Sequence, residues 1–87
     1  MKTKTIIVYA DPGHAWAKVE KSFLIKLGIE KEISIYSYMR GESAYIEEDS
    51  DLNKLVITMR DKGINHKFKE FHANKSSKIR NYASYKS

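Results

Sequence analysis

Residues 5–10 read Thr-Ile-Ile-Val-Tyr-Ala and residues 14–19 read His-Ala-Trp-Ala-Lys-Val, with only Asp11-Pro12-Gly13 between them. Two β-prone runs joined by so short a turn must fold back on each other as a hairpin. Pro12 presets φ at the second turn position, Gly13 tolerates a positive φ at the third, and Asp11 can accept a backbone hydrogen bond at the first. In the second run Ala15, Ala17 and Val19 alternate with Trp16 and Lys18, so one face is small and apolar and the other carries the only tryptophan.

The rest of the chain repeats this logic. Ser22 is placed to cap a short helix with Phe23, Leu24 and Leu27 on one side and Gly28 as its stop. Ile33, Ile35, Ser37 and Met39 alternate with Ser34, Tyr36 and Tyr38, which predicts a strand over 33–39. Arg40-Gly41-Glu42 then turns the chain into a partner strand over 43–47. Leu52, Leu55, Val56 and Met59 stand at helical spacing, with Ser50 or Asp51 as cap, Gly63 as terminator, and Glu47, Glu48, Asp49 and Asp51 near the positive end of the helix dipole. Residues 64–72 form a fifth strand with Ile64 and Phe68 inward and Lys67 and Lys69 outward. Ile79, Tyr82 and Tyr85 recur every three residues and fit a short helix or an extended arm equally. The expected fold is therefore α+β: an antiparallel sheet of about five strands in ββαββαβ order with two helices on one face. Residues 1–74 make one domain, and 75–87 a basic, tyrosine-containing C-terminal segment packed on it.

With 87 residues there is room for one small core and no second domain. The absence of cysteine excludes disulfides, thiolate zinc sites and a thiol nucleophile, and suits a reducing compartment. The first apolar run is too short for a signal peptide or a membrane span, so a cytoplasmic protein without a membrane partner is expected. The net charge of +5 is divided unevenly: residues 1–40 carry +3, 41–61 carry −4 and 62–87 carry +6. A basic final third points to an anionic partner, nucleic acid or an acidic protein surface.

No phosphate loop, dinucleotide fingerprint, paired-histidine zinc helix or nucleophile elbow is present. A candidate acid-base set is Asp11, His14, Glu48 and His72, with Lys78 and Arg80 holding phosphate. His66 and His72 lie six residues apart, about 20 Å along a straight strand, and cannot share an ion. Residues 47–51, Glu-Glu-Asp-Ser-Asp, lack the ligand spacing of a calcium loop and read as a helix start, so neither metal nor cofactor is expected. Trp16, Tyr36, Tyr38 and Tyr45 should stand on the sheet face away from the helices. There they form either a stacking platform for a partner or a second packing layer under the C-terminal segment. Lys75, Lys78 and Arg80, with neighbouring hydroxyls, suit phosphate oxygens.

The motifs at residues 9–19, 36–52 and 72–85 resemble, in order and distance, a family of short uncharacterised proteins of tailed phages, prophages and other mobile elements, whose opening signature is Asp-Pro-Gly-His-x-Trp. A cysteine often stands in that family where this chain has Ser50, which argues against a required thiol. The resemblance implies a genomic setting, in a host cytoplasm, and no particular reaction. The leading expectation is a non-enzymatic accessory protein that binds a nucleic acid or a host nucleoprotein complex, with interference in host defence as its purpose. The alternatives are a phosphate- or nucleotide-handling protein using the histidine set, and a homodimeric interaction module.

Overall fold

The computed structural model describes residues 3–87. Strands β1 (Lys4–Ala10) and β2 (Ala15–Glu20) form the hairpin, followed by helix α1 (Lys21–Leu27), a second hairpin of β3 (Tyr38–Arg40) and β4 (Ser43–Glu47), helix α2 (Leu52–Asp61) and strand β5 (His66–His72). The ββαββαβ order holds to this point. A 3₁₀ turn (Lys78–Asn81) and a short strand β6 (Ala83–Ser84) follow, so the C-terminal segment is helical turn and strand in succession.

The sheet has six strands in the order β5-β1-β2-β4-β3-β6, and it is mixed, not antiparallel: β5 runs parallel to β1, pairing Lys4 with His66 through Ala10 with His72. Side-chain periodicity is the same for either strand direction, so the five-strand antiparallel expectation needed correction on this point. The reason lies in the crossover. From β4, α2 carries the chain over β2 and β1 to the far edge, and a connection that passes over the sheet returns the next strand in the same direction as β4 and β1.

Ile6, Val8 and Ala10 from β1, Ala15, Ala17 and Val19 from β2, and Ala44 and Ile46 from β4 line one face. They pack with Leu24 and Leu27 of α1 and Leu55 and Met59 of α2, so both helices cover the same face. The run of alanines at its centre lets the helices sit close to the sheet. Gly28 closes α1 with φ 78°, and Gly63, with φ 69°, lets Ile64 donate back to the Met59 carbonyl.

Three local expectations are corrected. Glu20, not Ser22, occupies the N-cap of α1, without a side-chain cap bond. Strand β3 is three residues long, because residues 30–37 coil around the Asp51 carboxylate, which accepts from the Ser34 amide and from the Ser34 and Ser37 hydroxyls. That leaves Ile35 and Tyr36 exposed and turns Asp51 away from capping α2. Phe68 stays 41% exposed, since the helices do not reach the β5 edge.

Residues 73–85 strap the opposite face from one edge to the other. The Ala73 amide donates to the Ala10 carbonyl, Ile79 and Tyr82 cover Trp16 and Tyr45, β6 adds to β3, and Tyr85 turns into the main core, its hydroxyl donating to the Glu30 carbonyl. Burial raises the phenol pKa of both Tyr45 and Tyr85; the nearby Tyr82 and Tyr9 add to it at Tyr45, and Glu30 at Tyr85.

Candidate functional site

The strap decides what each chemistry-bearing residue can do. Asp11 is buried, and its carboxylate accepts five hydrogen bonds: from the Gly13 and His14 amides within the turn, from the Ser77 amide, and from Arg80 Nε and Nη2 at 2.7 and 2.9 Å. Arg80 is the first cause of a carboxyl pKa held far below the ordinary range, reinforced by the Ser77 amide, with burial opposing. Gly13 does not use a positive φ. A Cβ there would lie 3.0 Å from Arg80 Nη2, so its place in the turn is to admit the guanidinium. Asp11 is thus a structural clamp, and Arg80, expected to meet phosphate, is already bound in a bidentate pair.

The expected acid-base convergence does not form. His72 lies at the end of β5 and lines a different cavity from His14. His14 instead faces Glu47, whose Oε2 is 3.4 Å from its Nδ1, and Asp49, whose Oδ2 is 3.9 Å away. Strand register explains the choice of Glu47 over Glu48: Trp16 pairs with Glu47 across β2 and β4, and the pleat puts His14 and Trp16 on the same face as Glu47 and Asp49. Glu47 is buried. Burial works against its ionisation, but hydrogen bonds from the Ser50 hydroxyl and amide, with the Asp49 amide and the His14 ring close by, outweigh it, and its pKa is lowered. These groups line an open cleft of about 300 Å³ with Trp16, Tyr36, Tyr38 and Arg80.

The four-ring platform expected on this face is split. Trp16 (2% exposed) and Tyr45 (8%) lie under Ile79 and Tyr82, so they form the second packing layer and are closed to a partner. Tyr38 is half-buried against Trp16, and Tyr36 stands free in solvent.

A further open ring, Phe71 on β5, was not singled out by sequence. Phe71, half exposed, stacks on Tyr9 at 6.2 Å between centroids, with the Lys69 ammonium 5.5 Å from the Phe71 ring. Tyr9, Phe71, His72, Lys75, Ser76, Ser77 and Lys78 line a cavity of about 360 Å³ between β5 and the strap. Register puts Lys67, Lys69 and Phe71 on the face of Tyr9, where Lys18 of β2 also points. Among the described residues, none of Lys18, Lys67, Lys69, Lys75 and Lys78 forms an ion pair. Among the described residues, no ion pair joins the basic final third to the acidic middle of the chain; Arg80 pairs instead with Asp11 in the first turn. The usable signal in the sequence was the i, i+2, i+4 alternation Lys67-Lys69-Phe71, legible as a surface only once β5 is set beside Tyr9.

No family model, no curated protein and no solved structure matches this chain.

Proposed function

We propose that the chain is a non-enzymatic accessory protein of phage type that binds nucleic acid through the face shared by β5, β1 and the start of the strap. The observation that carries this reading is the stacked Tyr9–Phe71 pair, with Phe71 half exposed and Tyr9 half-buried beneath it, ringed by Lys18, Lys69, Lys75 and Lys78, none of them in an ion pair among the described residues. Exposed rings offer a base a stacking surface without regard to its identity, and unpaired ammonium groups attract backbone phosphate. A single strand suits this site, since its unstacked bases can reach the rings. The hydroxyls of Ser76 and Ser77 stand in the same cavity as further donors. The phage setting rests on the Asp-Pro-Gly-His-x-Trp resemblance alone, and the cytoplasm of the host is the location it implies.

Fluorescence anisotropy of a labelled 12-nucleotide single strand tests the proposal. With three phosphates engaged, affinity should fall by about 20-fold between 50 and 200 mM salt. The double variant Lys75→Ala/Lys78→Ala should flatten the salt slope by about 1.4, and Phe71→Ala should weaken binding by about tenfold. Binding indifferent to salt and to all three substitutions would exclude this surface.

A further inference from the structure

The cleft on the other side of the strap carries a separate possibility for chemistry, independent of nucleic-acid binding. One ligand atom from each of His14, Glu47 and Asp49 lies within 4.8 Å of the others, with Glu47 Oε2 and Asp49 Oδ2 at 3.4 and 3.9 Å from His14 Nδ1. Glu47 is itself more than nine-tenths buried, and its Oε2, in contrast to Oε1, which accepts from the Ser50 amide and hydroxyl, meets no donor in hydrogen-bonding geometry, although His14 Nδ1 stands 3.4 Å away. A buried carboxylate oxygen held by its twin and left unpaired toward an open cleft is a costly arrangement without a ligand. Trp16, whose buried indole N–H also has no partner, is among the residues lining the same cleft.

We infer that His14, Glu47 and Asp49 bind a divalent cation of the zinc or manganese class. Ligand atoms about 2.1 Å from a tetrahedral ion lie about 3.4 Å apart; His14 and Glu47 stand at 3.4 Å, and the exposed Asp49, at 3.9 Å from His14, has a short way to close. The imidazole nitrogen selects this class over magnesium and calcium, which take oxygen. Three protein ligands in an open cleft leave a coordination position facing solvent, which water or an anion would fill. Ser50 acts on the ion through Glu47, fixing which oxygen faces it. Arg80, the cation on the cleft wall, is neutralised by Asp11 and does not oppose the charge.

Calorimetry of the metal-free chain with Zn²⁺ and with Mn²⁺ should give one saturable step of one-to-one stoichiometry. His14→Gln and Asp49→Asn, both at exposed positions and so without consequence for folding, should each weaken it by at least about tenfold. His66→Gln and His72→Gln should leave it unchanged. In proton–nitrogen NMR spectra, substoichiometric Mn²⁺ should broaden the single indole N–H signal of Trp16 while the amides of α1 persist. Absence of a saturable step at millimolar metal would overturn the assignment. So would binding that survives His14→Gln, binding that is lost in His66→Gln, or an indole signal that does not respond.

Discussion

The five hydrogen bonds on the Asp11 carboxylate tie the first turn to the last element, and they make this residue the point where acid should act. The folded carboxyl is held far below its ordinary value of 3.8, so the unfolded chain takes up the proton first. The stabilisation is complete above about pH 4 and drains away as pH falls below it. Melting temperatures of the natural chain and Asp11→Asn, compared from pH 7 down to pH 2, should therefore differ most at neutral pH and converge in acid; a constant gap would contradict the clamp. At this scale the turn was legible in the sequence, with every residue of Asp11-Pro12-Gly13 explained locally. What the tripeptide could not disclose was its partner 66 to 69 residues away, and so Gly13 was assigned to backbone conformation when it makes room for Arg80.

Among elements, the two helices and the two hairpins follow from spacing and from Gly28 and Gly63, because those signals are local. Strand β3 fails for an equally physical reason. Its alternating pattern over 33–39 yields to the Asp51 carboxylate, which accepts from the Ser34 amide and from the hydroxyls of Ser34 and Ser37, while the Ser37 amide turns back to the Ser34 carbonyl. The direction of β5 leaves no trace in its own residues, and with it went the Tyr9–Phe71 pair. The choice between Glu47 and Glu48 likewise depends on pairing register, which shifts every side chain to the other face when it moves by one. Helix α2 tests the packing described above: Leu55 is fully buried while Ile57 is 38% exposed. Urea titration of Leu55→Ala should show a loss of about 3 kcal/mol, and Ile57→Ala a change below about 0.5 kcal/mol. Equal effects would mean that α2 does not rest on the sheet as described.

Across the whole molecule, the strap is the feature that divides function from packing. It closes Trp16 and Tyr45, consumes Arg80, and leaves an open surface on either side: a basic aromatic one toward β5 and an acidic one around His14. The same segment also governs how the native state is reached and left. Its anchor at Asp11 joins residues 66 and 69 positions apart, and such loops close late, after local hairpins and helices have formed. Contacts absent from the transition state set the rate of escape and not the rate of arrival. In stopped-flow chevrons, Asp11→Asn should steepen neither arm; it should raise the unfolding rate and leave the refolding rate nearly untouched, so that the clamp acts as a latch on lifetime.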